Sequence, residues 1–283
     1  MIDTPAPLGL LEALVLGIVQ GLTEFLPISS TAHLRVVPAL LGWDDPGVSV
    51  TAAIQLGSVA AVVAYFRQDL TQVLRGISRA VRYGQWREPE ARLGVAMVIG
   101  TLPILVLGLG IKVFWHAGYA SSPLRSVPSI AVVSIVMALF LALAECFGPR
   151  LKQLEGVTSR DGFVVGLAQA LAVIPGVSRS GSTLTASLFD GWKRADAARF
   201  SFLLGIPAIS IAGLVELKSA LSLSSGAGPL PLVVGILSAA VVSWLAIDWL
   251  LRFLQRNSTW IFVGYRLVFG AGLLVWWAFK SAN

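Results

Sequence analysis

Long stretches without a charged side chain dominate this chain. Uncharged runs cover 46–66, 93–111, 126–144, 200–215 and 219–247, and a last apolar run covers 267–279. Because roughly 20 apolar residues cross a bilayer as a helix, these runs predict six transmembrane spans. Two further apolar stretches, 8–41 and 162–199, are each broken near the middle by proline and a cluster of serines. Such interruptions predict re-entrant helix-loop-helix hairpins, which are tolerated at membrane depth only where they line protein or a water-filled cavity. The expected fold is an all-α polytopic membrane protein of six transmembrane helices plus two re-entrant helical hairpins.

Composition reinforces the pattern. The 283 residues are 56% hydrophobic and only 13% charged, with a mean hydropathy of +0.80, whereas soluble domains carry about 25% charged residues. The net charge of +6 is then a matter of topology and lipid headgroups, since no basic patch interleaved with aromatics suggests nucleic acid. Cys146 is the one cysteine, which excludes an intrachain disulfide and a thiolate metal site. Acidic Asp3, with no basic segment before the first apolar stretch, argues against a cleaved signal peptide.

Lysine and arginine set the orientation. Fourteen of the 21 fall in the connections 67–92, 150–160, 193–199 and 252–256, which should therefore be cytoplasmic. The intervening connections near 43–47, 116–125 and 218–229 should face outside. A weak internal repeat agrees with this. Gly17, Gln20 and Leu22 recur as Gly166, Gln169 and Leu171 at an offset of 149, and Pro27, Ser30 and Gly57 recur as Pro175, Ser178 and Gly205 at 148. Three spans separate the copies, so the second is inverted, and polar sites of inverted repeats lie where the halves meet. A single membrane domain over 1–283 is expected, with repeats at about 8–113 and 162–254 and extra spans at about 126–147 and 260–279.

The broken tips carry the chemistry. Gln20 and Glu24 are four apart and share a helix face that ends before Pro27. Ser29 or Ser30 can cap the next helix, with Thr31 and His33 in its first turn. In the second hairpin, Ser178, Arg179, Ser180, Ser182 and Thr183 follow the Pro175-Gly176 break. A half-helix starting there would offer free N–H groups to an anion, and Arg179 could grip a phosphate. An arginine at membrane depth is costly and needs an anionic partner. A carboxylate and an imidazole facing such a site suit phosphoryl transfer. Glu24 alone could hold a divalent cation only with phosphate oxygens completing the shell.

The pairing of Gln-x-x-x-Glu and Pro-x-Ser-Ser-Thr-x-His with Pro-Gly-x-Ser-Arg-Ser-x-x-Thr resembles the undecaprenyl-diphosphate phosphatases of the BacA/UppP type over essentially the whole chain. The resemblance implies hydrolysis of undecaprenyl diphosphate to the monophosphate and phosphate with a divalent cation, Mg²⁺ or Ca²⁺. That recycles the lipid carrier for peptidoglycan synthesis and lowers bacitracin sensitivity. It implies catalytic roles for Glu24, Ser30, His33 and Arg179, with Glu24 on the metal. Gln20, Ser29, Thr31, Ser178, Ser180, Ser182 and Thr183 then surround the diphosphate. Gln20 stands where the motif allows Glu or Gln. The nucleophile stays open among Ser30 activated by His33 or Glu24, His33 itself, and water, with Ser30 favoured because a serine needs an adjoining base and His33 lies one turn on. Partners implied are the polyprenyl diphosphate, membrane lipids and a second copy in a homodimer. The location implied is the bacterial inner membrane, with the site opening to the periplasmic side.

Other classes compete. Inverted repeats with broken helices are also the plan of lipid transporters and flippases, which would need Arg179 but not the Glu24, Ser30 and His33 set. The lipid phosphatases with two catalytic histidines are disfavoured, since only His33 and His116 are present. His116 beside Trp115 reads as interfacial, as do Trp43, Trp260, Trp276 and Trp277. Glu12, Glu145, Asp190, Glu216 and Asp248 read as solvated or paired.

Overall fold

The computed structural model describes residues 8–115, 118–119, 122–223 and 229–282, apart from the side chains of 48 and 216–223, and contains no β-strand among them. The helices are α1 Leu10–Phe25, α2 Ser30–Leu41, α3 Gly47–Tyr65, α4 Arg67–Tyr83, α5 Pro89–Phe114, α6 Val127–Phe147, α7 Ser159–Ala170, α8 Arg179–Phe189, α9 Arg194–Leu223, α10 Leu230–Arg256 and α11 Trp260–Ala282. Five are long and apolar enough to cross a membrane: α5, α6, α9 over Arg194–Val215, α10 and α11. A sixth is reached if α3 and α4, which meet at a 70° bend, count as one.

The connection expected near 218–229 is where α9, continuing to Leu223, gives way to α10 at Leu230, after Pro229, a residue readily placed at a helix start. One expectation is corrected. The basic connection 67–92 is largely helix. In α4 the small or apolar Val73, Gly76 and Ala80 turn inward, while Arg75, Arg79 and Arg82 stay outside, and Gly84 closes the helix at φ 73°. The helix is amphipathic, so its arginines do not prevent it from forming.

The broken stretches each become two short helices. α1 and α2 have 16 and 12 residues, α7 and α8 have 12 and 11, each short of a crossing length. Pro27 ends the first pair's descent. A single 3₁₀ turn over Leu171–Val173, then Pro175 and Gly176 at φ 95°, ends the second. α1 packs on α10 and α3, α7 on α5, α6 on α11, and α9 on α3. Small residues let α7 approach α5: a Cβ on Gly162 would lie 2.4 Å from the Ala96 carbonyl oxygen.

The basic segments gather at one end. Arg199 pairs with Asp69 of α4, Arg92 donates to the Gly156 carbonyl at 3.0 Å, and Lys152 bridges Asp161 and Asp190 at 2.9 and 2.6 Å. Glu145 accepts from Arg194 and from Thr259 Oγ1, so the ends of α6, α9 and α11 meet there too. Burial opposes the charge on Lys152, but hydrogen bonds to Asp190 and Asp161 outweigh it and raise its pKa.

Candidate active site

The two broken tips meet, and Glu24 lies between them. Its side chain is buried, and each oxygen accepts two donors. Oε2 takes Ser30 Oγ at 2.8 Å and Gln20 Nε2 at 2.9 Å, while Oε1 takes Gln55 Nε2 at 3.1 Å and Arg179 Nη2 at 3.2 Å. A buried carboxylate is costly unless its lone pairs are satisfied, and four donors satisfy them here. Gln20 and Glu24 share a face of α1, as their spacing predicts. Ser30 and Arg179 are the first helical residues after the two breaks.

Both breaks end in the same device. Ser29 and Ser178 are the N-caps of α2 and α8, with φ 78° and 71°. Ser29 Oγ accepts from Ala32 N and Ser178 Oγ from Gly181 N. A non-glycine residue held there costs of order 1–3 kcal/mol and persists where its surroundings over-determine it. The tip serines therefore correspond as Ser29 and Ser178, one position away from the Ser30 and Ser178 pairing expected from sequence.

Arg179 reaches Glu24 across space left by Gly205, where a Cβ would fall 1.7 Å from Nη1. Its Nη1 also donates to the Ser201 carbonyl at 3.3 Å, and its buried Nε has no partner, leaving a donor for a ligand. A cavity of about 190 Å³ opens here, lined by Glu24, Ser29, Ser30, Thr31, Gln55, Ser178 and Arg179 and, on the apolar side, by Ile104, Ala172 and Ala208 among others.

Not every predicted residue reaches that cavity. Gln20 sits behind Glu24 as its donor. Ser180 Oγ ties the tips by donating to the Leu26 carbonyl at 3.0 Å. Ser182 and Thr183 bond back to the Arg179 carbonyl at 3.0 and 2.8 Å, and Thr183 also meets Ser201. These three brace α8 and do not line the cavity. His33 also points elsewhere: Nδ1 lies 2.7 Å from the Ser29 carbonyl oxygen and Nε2 2.6 Å from the Tyr265 hydroxyl. Of the two groups expected to adjoin Ser30, Glu24 is in hydrogen-bond contact with its hydroxyl and His33 is turned away. His116 lies outside the described residues, as does the side chain of Glu216. Glu12 caps its own helix, accepting from Gly9 N at 2.9 Å, and Asp248 pairs with Arg252 and Tyr65.

Residues 13–272 match the family described as bacitracin resistance protein BacA. The chain belongs to the BacA family. Among relatives, it is 93% identical over 283 residues to the undecaprenyl-diphosphatase of Synechococcus sp. (strain CC9902), covering all of both chains. It is 79% identical over 287 residues to that of Synechococcus sp. (strain CC9605) and 75% identical over 287 to that of Parasynechococcus marenigrum (strain WH8102), again covering all of each.

In this BacA-family chain three site residues escaped sequence reasoning. Gln55 is the one amide within the uncharged run 46–66, and a strongly polar residue inside a span is a usable signal. Tyr265 gave no such signal. Arg266 stands just before the apolar run 267–279, where a charge is unremarkable, yet it is fully buried and donates to carbonyls of both tips. Its Nη1 reaches Pro27 O and Val177 O at 3.1 Å each, its Nη2 reaches Gly176 O at 2.6 Å, and its Nε reaches Ser134 O of α6 at 3.3 Å.

A divalent cation fits this donor set in one way. Among the described residues, Glu24 is the only carboxylate lining the cavity, and no group of three or more His, Cys, Asp or Glu occurs. The chain thus offers one carboxylate, hydroxyls and the Gln55 amide. A cation would need oxygens of a phosphorylated ligand to complete its shell, as Mg²⁺ commonly does.

Proposed function

We infer that this chain hydrolyses undecaprenyl diphosphate to undecaprenyl phosphate and phosphate, returning the lipid carrier to cell-wall synthesis. The observation that carries the reading is Glu24, shared between the Ser30 hydroxyl and the Arg179 guanidinium where the two tips meet; the names of its full-length relatives agree with it.

Glu24 Oε2 already accepts the Ser30 hydroxyl, so it takes that proton as Oγ attacks the terminal phosphorus. A bond forms between Ser30 Oγ and phosphorus, and the phosphoric anhydride bond to the prenyl monophosphate breaks. Arg179 exchanges Glu24 for the terminal phosphate oxygens and stabilises the charge that develops on them. Glu24 passes the proton it took from Ser30 to the departing prenyl phosphate; water then attacks the phosphoserine as Glu24 takes its proton and returns it to Ser30 Oγ, and phosphate leaves with Ser30 restored. Glu24 and diphosphate oxygens would hold a divalent cation, which supplies further charge neutralisation.

The wider arrangement supports a lipid substrate. An apolar groove of about 750 Å³ runs between α5 and α7, lined by Leu102, Pro103, Val106, Leu107, Phe163 and Leu167 among others. Pro103 of this groove is next to Ile104 of the polar cavity's wall along α5, and Ala170 lies two residues before Ala172 of that wall, which supports a prenyl tail continuing from a diphosphate at Ser30. A smaller cavity, sharing Thr31 and Ala172, leads past Arg35, Asp45 and Arg125 near the start of α6, away from the basic end. We take that as the route for phosphate and the outward face. Six spans, two re-entrant hairpins and an inverted repeat in the inner membrane form the matching topology, supported by the paired Ser29 and Ser178 caps.

Purified protein should release phosphate from a prenyl diphosphate and leave a prenyl monophosphate intact. Ser30→Ala and Glu24→Gln should each lower kcat by 10²-fold or more, the scale of losing a nucleophile or its base. Full activity in either variant would end this reading.

A further inference from the structure

We infer that His33 is a positioning residue, a clamp on the Ser29 carbonyl that aims Ser30 at Glu24, and that Tyr265 sets the clamp's ring. This deepens the phosphatase reading and rests on Ser30 being activated by Glu24.

A carbonyl oxygen only accepts, so the 2.7 Å contact from Nδ1 to Ser29 O places a proton on Nδ1. In the neutral ring Nε2 is then an acceptor, and the Tyr265 hydroxyl at 2.6 Å is its donor. Both nitrogens are spent. Neither is left for Ser30, whose hydroxyl goes to Glu24, and His33 does not line the cavity holding Ser30 and Arg179. The ring is buried and stacked against Phe269, with centroids 4.3 Å apart, and against Tyr265 at 5.7 Å. It cannot turn without losing these contacts.

What the clamp holds is conformationally demanding. Ser29, at φ 78° and ψ 97°, directly precedes Ser30, so its peptide fixes where Ser30 Oγ points. The His33 backbone N–H reaches the same oxygen at 3.3 Å, a long bond that the shorter imidazole contact reinforces. At the other tip, the Ser178 carbonyl is held by Ser182 N at 2.8 Å and the preceding two carbonyls by Arg266. Only the first tip needs a side chain on the cap's own carbonyl.

The distinction can be tested by which atom a substitute keeps. Asparagine places an amide N–H near the position of Nδ1 and has no group that titrates or attacks phosphorus; glutamine places its amide nearer Nε2. His33→Asn should retain kcat within about tenfold of the parent. His33→Gln and His33→Ala should lose 10²-fold or more, and Tyr265→Phe about fivefold to tenfold, all with KM little changed. His33→Asn as inactive as His33→Ala, or label from the terminal phosphate trapped on His33, would overturn the clamp. A second readout needs no substrate. Nitrogen-15 NMR of histidine-labelled protein on a His116→Gln background should show the Nδ1–H tautomer, kept in Tyr265→Phe with only the Nε2 resonance shifted by loss of its hydrogen bond; an Nε2–H ring or an imidazolium at neutral pH would overturn the assignment. A parent that shows this tautomer but releases no phosphate would instead sink the phosphatase reading, and the clamp's catalytic purpose with it.

Discussion

Glu24 illustrates how much one side chain can be asked to do. Its two oxygens are occupied by four donors, one of them the Ser30 hydroxyl. Gln20 contributes by being an amide: Nε2 donates to Oε2 at 2.9 Å. In Gln20→Glu, two carboxylates would share that spacing and could not both stay charged without a proton or cation between them. Phosphate release by Gln20→Glu should therefore fall sharply when divalent cation is limiting and recover when it is raised, more steeply than in the parent. An unchanged cation titration would show that no cation reaches Glu24. The carboxylate and arginine were legible in the sequence because charge inside an apolar stretch is conspicuous. Tyr265 and the direction of the His33 ring were not, since they depend on α11 packing against a helix more than 220 positions earlier.

At the level of elements, the sequence showed where helices break but not which way their side chains aim. Proline and serine clusters marked both tips, and the cap residue was narrowed to two serines. Ser180, Ser182 and Thr183 are turned to backbone carbonyls, which spacing alone does not show, because hydroxyls in a helix satisfy backbone carbonyls as readily as ligands. The α9 wall shows the converse, a residue that matters by being absent. Gly205 leaves the volume that the Arg179 guanidinium occupies. Gly205→Ala should displace Arg179 from Glu24 and lower kcat by about the 10²-fold typical of a lost transition-state contact. Melting temperature should fall as well, because the methyl overlaps the buried guanidinium that pairs with Glu24. Normal turnover in this variant would mean that Arg179 can reach phosphate from another rotamer.

For the whole molecule, the charge bias that predicted the topology has a physical counterpart in the basic segments tied together at one end. A cysteine at Gly84, the exposed cap of α4, introduced on a Cys146→Ala background, should resist impermeant reagents in intact cells and react once the membrane is opened. Labelling in intact cells would invert the orientation. The α5–α7 groove makes a separate claim about length. Leu102→Trp and Leu167→Trp, at positions about half exposed, should raise KM for a long prenyl diphosphate several-fold and leave a three-isoprene substrate unaffected. Equal effects on both would place the tail elsewhere.

The bonds of Arg266 bear on motion. One guanidinium joins carbonyls of both tips and of α6, and separating the tips would strand several buried backbone oxygens at once, each costing about 1–3 kcal/mol. Rocking one half of the protein against the other is thus a steep climb. A carrier lipid that changes leaflet through this fold would have to slide past a fixed hub, its headgroup passing from one stationary donor to the next, while the protein around it stays still.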